Sequence, residues 1–213
     1  MARRATFVDI PVTYGAVGAT QRSDLLQYPP RGFRPIERSI RLGSGAERFA
    51  ASREAMLAWE VQRGAGLEVR DVTAGTGEQY PGLRYDESGS PVAPEAPPEI
   101  VYGPDGQPNV ANGVSAVLRL GVGPFHVDSP VRVVYVIDEP RRFGFAYGTL
   151  AGHPASGEEA FFLDWLADDS VWFTIRAFSR ASGPLYRLLT PITRSVFRTL
   201  TTRFLRALHP AVG

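Results

Sequence analysis

Apolar and polar residues alternate with a period of two along much of the chain. Val114, Ala116, Leu118 and Leu120 fall on one face of an extended segment, while Ser115, Val117 and Arg119 fall on the other. Val171, Phe173, Ile175 and Ala177 likewise oppose Trp172, Thr174, Arg176 and Phe178. This alternation predicts strands at 35–42, 67–73, 114–122, 131–137, 142–149, 158–165 and 171–179. The links among the last five are short, Gly123-Pro124, Asp138-Glu-Pro140 and Asp168-Asp169, so these strands are hairpin-connected and antiparallel. One face of the resulting sheet is continuously apolar and the other is mixed.

Helical spacing replaces alternation in two places. Gly43-Ser44-Gly45-Ala46-Glu47 reads as a capping box, with Ser44 as cap and Glu47 reaching back. The helix it opens should run to about Arg63, with Phe49, Met56, Leu57 and Val61 toward the core and Gly64 as a left-handed stop. A longer pattern over 182–208 places Leu185, Leu188, Leu189, Ile192, Val196, Leu200, Phe204 and Leu208 on one stripe, interrupted at Thr190-Pro191 by a kink or a new helix start. Arg194, Arg198, Arg203 and Arg206 lie off that stripe. Residues 1–35 are irregular and suit a segment lying across a surface, and 74–112 is a Pro- and Gly-rich insertion, expected to be exposed and given no catalytic role.

Composition narrows the field. With 213 residues and 44% hydrophobic content the chain can bury a sizeable core, and its length suits one domain over 1–213. A net charge of +1 gives no global field favouring nucleic acid. The absence of Cys removes disulfides, thiolate nucleophiles and thiolate-bound metals together. Arg3 and Arg4 are followed by no long apolar run, so neither a signal peptide nor a transmembrane segment is expected, and the expected location is cytoplasmic.

The element order is strand, helix, strand, insertion, five strands and a long helix. Sheet and helix can both bury their apolar faces if the helix packs across the sheet, an α+β helix-grip arrangement. The chain resembles the domain-of-unknown-function 1990 family, a group of uncharacterised bacterial and plant proteins. The likeness rests on Thr13-Tyr14, Gly18-Ala-Thr20, Gly32-Phe33, Arg41-Leu-Gly-Ser-Gly45, Trp59, Gly64-Ala-Gly66 and above all Gly144-Phe-Ala-Tyr-Gly-Thr-Leu-Ala-Gly-His-Pro-Ala-Ser-Gly-Glu-Glu159, extended by Val171-Trp-Phe and Ala177-Phe-Ser-Arg180. The segment 82–108 departs from that pattern and looks like an insertion. The resemblance implies a START-like, birch-pollen-allergen-like helix-grip fold and no established activity.

Candidate chemistry concentrates in 145–161. Glu158 and Glu159 are strand neighbours, so they point to opposite faces and cannot act as a pair on one substrate. If Glu159 shares a face with Phe161 and Leu163, its carboxyl sits in an apolar setting that favours the neutral form and suits acid–base chemistry. Arg119, Arg132 and Arg176 are its expected partners, and a cross-strand ion pair is the bland alternative. His153, in Gly152-His153-Pro154, is the proton-transfer candidate nearest neutral pH, or else simply bonds a backbone carbonyl. With no second His or Cys at ligand spacing, no metal or other cofactor is expected. Ser156 lacks a nucleophile elbow, so a hydrolase built from Ser156, His153 and Glu158 is weakly supported. Tyr147 and Thr149 share a strand face and can hydrogen-bond a ligand. Gly43-Ser-Gly45 and Gly121-Val-Gly123 are too short and badly placed for phosphate loops. Trp172 and Phe178 with Arg176 could stack nucleic-acid bases, but strand aromatics more commonly pack a core or cavity.

The sequence therefore points to a monomer or homodimer that binds a small hydrophobic or amphipathic molecule between sheet and C-terminal helix. Tyr147, Thr149, His153, Glu158 and Glu159 form the polar mouth of that site, and Arg176 and Trp172 join the ligand-binding set. The alternatives are an enzyme using His153 with Glu158 or Glu159 as acid and base, and a non-catalytic scaffold that binds another protein.

Overall fold

In the computed structural model, which describes residues 11–75, 101–103, 106–183 and 190–209 (side chains of 190–194 excepted), the alternating segments pair into one antiparallel sheet. Its strands are β1 Arg34–Ser44, β2 Leu67–Thr73, β3 Ser115–Val122, β4 Phe125–Glu139, β5 Arg142–Thr149, β6 Ala155–Trp165 and β7 Ser170–Ala181. They lie in the order β1-β7-β6-β5-β4-β3-β2, so β3 to β7 form a meander of hairpins with β1 and β2 at its two edges. Among the described residues the α-helices α1 Ala46–Leu57, α2 Glu60–Gly64 and α3 Thr190–Ala207 lie on one side.

The helix side holds the main core. Val131, Phe143, Phe145, Phe161, Leu163, Val171, Phe173 and Ile175 are fully buried there against Phe49, Met56, Trp59 and Val61 of the first helical region and Phe204 of α3. The rings of Phe145, Phe161 and Phe173 stack in sequence across three strands, and Phe204 meets Phe161 edge-on at 5.5 Å. This sheet-and-helix packing is the helix-grip architecture that the strand phases anticipate.

The first helical region departs from expectation. Ser44 is still in β1, paired with Ser170, and Gly45 occupies the N-cap without any side-chain cap, its N–H donating to Asp169 O at 3.0 Å. Strand pairing claims the residue that a capping box would have used. The helix then breaks at Trp59, whose backbone is left-handed (φ 62°). For a bulky residue that conformation costs about 1–2 kcal/mol. It is offset by burial of the indole, by its N–H donating to Pro108 O at 3.3 Å, and by contact with the Phe145 ring. Gly64 is helical rather than a left-handed stop. It lets α2 approach α3, where a Cβ would lie 2.9 Å from Ala207 Cβ, and the left-handed residue is Gly66.

The expected insertion lies mostly outside the described residues. Its C-terminal end does not loop freely: Val110 is buried, its N–H donates to Leu57 O at 2.8 Å, and Tyr102 and Pro108 form a bridge. Leu185, Leu188 and Leu189 of the expected terminal stripe also fall outside the described residues, whereas Phe204 and Leu208 are buried as their spacing requires.

The outer side of the sheet is covered by the irregular N-terminal segment. Tyr14, Ala19 and Leu25 pack on Phe178, with Phe33 edge-on to the same ring at 5.3 Å.

Candidate functional site

The two adjacent glutamates divide between the two sides of the sheet. Glu158 pairs across β5 with Gly148 and points outward, whereas Glu159 pairs with Tyr147 and Ala177 and points toward the helices.

Outside, Glu158 is almost fully buried beneath the N-terminal segment. Its Oε2 accepts from the Tyr14 hydroxyl at 2.8 Å and the Gly18 N–H at 2.7 Å. Its Oε1 accepts from the Thr20 N–H at 3.0 Å and the Thr20 hydroxyl at 2.5 Å. Thr20 in turn shares a 2.7 Å hydrogen bond with the Tyr135 hydroxyl. A carboxylate with four donors is satisfied. Burial and the neighbouring carboxylate both push the Tyr14 phenol up, so it stays a donor. The glycines follow from the same packing. A Cβ at Gly148 would sit 2.4 Å from Tyr14 Oη, and one at Gly157 (φ 154°) would sit 2.0 Å from Phe178 O. Thr13, Tyr14, Gly18, Thr20, Gly148, Gly157 and Glu158 thus form one clasp that fastens residues 13–20 to the sheet.

Inside, the arrangement is different. The Tyr147 hydroxyl donates to Glu159 Oε2 at 2.6 Å. Burial pushes the Glu159 carboxyl up to about 7, against the lowering effect of that hydrogen bond, and burial followed by the charge of Glu159 raises the Tyr147 phenol. Around them Tyr147, Phe161 and Leu163 are buried, yet Glu159 keeps accessible surface. It faces a recess. Gln62, on α2, is fully buried beside the Tyr147 hydroxyl, and its amide acts on that phenol. That contact is a hydrogen-bonding one, which lowers the phenol, but it is loose: neither Gln62 Nε2 nor Oε1 meets full hydrogen-bond geometry with a described residue. Most buried amides are fully paired, so this one is unusual among the described residues.

The other candidates are dispersed. Thr149 is used at the strand end, accepting from the Gly157 N–H at 3.0 Å and sharing a 2.6 Å bond with the Thr13 hydroxyl. His153 sits in the β5–β6 turn, where its Nδ1 accepts the Ala155 N–H at 2.9 Å and burial lowers the imidazole to about 4. No described hydrogen bond joins it to either glutamate, and the Ser156 hydroxyl donates instead to Thr13 O at 3.0 Å, so no Ser-His-Glu set forms among these residues. Arg119, Arg132 and Arg176 do not partner Glu159. By strand parity they share the outer face with Glu158, where Arg119 pairs with Asp128, Arg132 bonds Ser115 and Arg176 pairs with Glu37. Trp172 is on that face too, its indole N–H donating to Ser170 Oγ at 3.0 Å. Of the five residues expected at a polar mouth, only Tyr147 and Glu159 stand together on the helix side, and Gln62 lies beside them. Sequence offered one signal for that residue: Gln62 stands three positions from both Trp59 and Ala65, in an apolar phase.

Among the described residues no three His, Asp or Glu side chains cluster as metal ligands, and no helix is long and apolar enough to cross a membrane.

Comparison with known proteins agrees with this architecture. The solved structure of hypothetical protein jhp0584 from Helicobacter pylori superposes with a TM-score of 0.51 at 10% identity, covering 93% of this chain and 96% of that one. The ZhuI aromatase/cyclase from Streptomyces sp. R1128 gives a TM-score of 0.50 at 13% identity, covering 83% and 91%. Identities this low speak to the helix-grip fold alone and not to activity. In sequence, a UPF0548 protein of Deinococcus radiodurans is 44% identical over 82 residues, a stretch spanning 38% of this chain and 41% of that relative. The family model described as a domain of unknown function, DUF1990, matches residues 13–109 and 98–207, and the chain belongs to that family.

Proposed function

We propose that this protein binds a small hydrophobic or amphipathic molecule at the seam between sheet and helices, with the molecule's polar end at Gln62, Tyr147 and Glu159. The observation that carries the reading is Gln62: a fully buried amide whose polar atoms find no well-formed hydrogen bond among the described residues beyond a loose contact with Tyr147, beside a glutamate that keeps some accessible surface. Leaving such a group unpaired costs about 1–3 kcal/mol. A bound molecule that supplies the missing hydrogen bonds recovers that loss, and the surrounding Phe145, Phe161 and Trp59 rings offer apolar contact for its body.

A second reading, acid–base catalysis on such a ligand, is favoured by the carboxyl of Glu159 held at about 7 beside a tyrosine hydroxyl. His153 has no part in it, because its Nδ1 is occupied by the Ala155 N–H in a turn.

Titration with the neutral fluorophore N-phenyl-1-naphthylamine tests binding. Saturable, blue-shifted emission at one equivalent is expected, weakened in Tyr147→Ala. Emission that neither saturates nor responds to Tyr147→Ala removes the interior from consideration and favours a scaffold packed by its own side chains.

A further inference from the structure

The chemistry of the ligand's polar end follows from the groups that await it, given the binding reading above. We infer that this end is a neutral group carrying both a hydrogen-bond donor and an acceptor, such as a primary amide, phenol or alcohol, and that a carboxylate is rejected.

The groups beside Glu159 decide this. Gln62 presents two N–H donors and one carbonyl acceptor, satisfied only by a loose contact with the Tyr147 hydroxyl, and Glu159 presents acceptor oxygens, one of them engaged by Tyr147. A carboxylate ligand has acceptors only. It would answer the Gln62 N–H groups, leave the Gln62 carbonyl unpaired, and set a second anion against Glu159. An ammonium has the opposite defect, answering the acceptors and stranding the Gln62 donors.

Charge gives the same answer for the carboxylate, whereas an ammonium would pair with Glu159 and still strand the Gln62 donors. The groups on the elements packed around Glu159 are Tyr147 on β5, Ala177 on β7 and Gln62 on α2, none of them cationic. The mid-strand arginines Arg119, Arg132 and Arg176 lie on the outer face. On α1 and α2, Arg48 bonds Leu208 O, Arg53 pairs with Asp138, and Arg63 bonds Ala58 O. No described cation offsets the burial of the Glu159 carboxyl. A buried anion brought beside it would meet a like charge in a low-dielectric setting, which is strongly unfavourable.

Four probes with one apolar body isolate the head group: 2-naphthamide, 2-naphthol, 2-naphthoate and 2-naphthylmethylamine, titrated by calorimetry at pH 8. The amide and the phenol should bind about tenfold or more tightly than the acid and the amine. Glu159→Gln should raise naphthoate affinity about tenfold, and it should not raise that of the amide. Gln62→Leu should weaken the amide about tenfold, more than it weakens naphthoate, which meets only the Gln62 N–H groups. Naphthoate or the amine binding as tightly as the amide, or a Glu159→Gln protein indifferent to naphthoate, overturns the head-group assignment while leaving interior binding standing. If none of the four binds the wild-type protein, the binding reading itself fails and this inference fails with it.

Discussion

The Tyr14 hydroxyl donates to Glu158 Oε2 at 2.8 Å, joining two residues separated by 144 positions in the chain. The bond is one of four on a single buried carboxylate, and it fixes where the N-terminal segment lies. Glu158→Leu should therefore strand the Tyr14, Gly18 and Thr20 donors together and cost about 3 kcal/mol or more, whereas Tyr14→Phe removes one donor and should cost about 1–2 kcal/mol. Urea midpoints measure both. Amide exchange across residues 13–20 should accelerate in Glu158→Leu before the sheet exchanges, and uniform protection there would contradict the clasp.

The close approach at Gly148 makes a second, separable prediction. Gly148→Ala should destabilise by about 1–3 kcal/mol, because its Cβ would overlap the Tyr14 ring, and Tyr14→Leu in the same chain should relieve much of that cost. Gly157→Ala meets backbone at Phe178 and requires a positive φ, so no side-chain truncation should rescue it. Denaturation of the single and double variants distinguishes the two cases; strict additivity at Gly148 and Tyr14 would refute the packing account.

Stability should respond to pH through two groups of opposite sign. Glu159 is raised from 4.5 to about 7, so the native state binds its proton more tightly than the unfolded chain. Its contribution is present below about pH 4.5 and is lost as pH rises to 7, a change of at most about 3 kcal/mol before allowance for the solvent it still touches. His153 is lowered from 6.5 to about 4, so the unfolded chain binds that proton more tightly, and stability is lost as pH falls from 6.5 to 4. Wild-type minus variant stability should slope down with rising pH for Glu159→Gln and up for His153→Gln. Slopes of the same sign would show that one of the two environments is misassigned.

Gln62→Leu should stabilise the ligand-free protein by about 1 kcal/mol, since it removes a buried amide with no well-formed hydrogen bond among the described residues. A gain in thermal midpoint coupled to weaker ligand binding is the mark of a residue kept for function. A loss of stability would show that the amide is already satisfied in the folded protein.

Much of this was legible in the sequence, and the limits have physical causes. Strand phase placed Glu158 and Glu159 on opposite faces and put Glu159 with Phe161 and Leu163, because alternation is a property of any extended backbone. The same reasoning, applied to Arg176, would have excluded it as a partner of Glu159, but the register that aligns Arg176 with Ala160 is set by pairing between strands and not by either strand alone. The left-handed turn at Trp59 had no local signal, as neither Gly nor Pro stands there, and it is held by the tertiary contacts of the buried indole. Residues 1–35 read as an irregular surface segment. That residues 13–20 would cap a buried carboxylate depended on contacts 138 to 144 positions away.

Native mass spectrometry of the purified protein, followed by denaturing extraction and identification of released small molecules, tests the central claim most directly. A one-to-one adduct bearing a neutral donor–acceptor head, released on denaturation and depleted in Gln62→Leu, is the predicted result. A bare polypeptide mass in both proteins, with no thermal shift from neutral apolar compounds, would contradict interior ligand binding and leave a scaffold filled by its own aromatic rings.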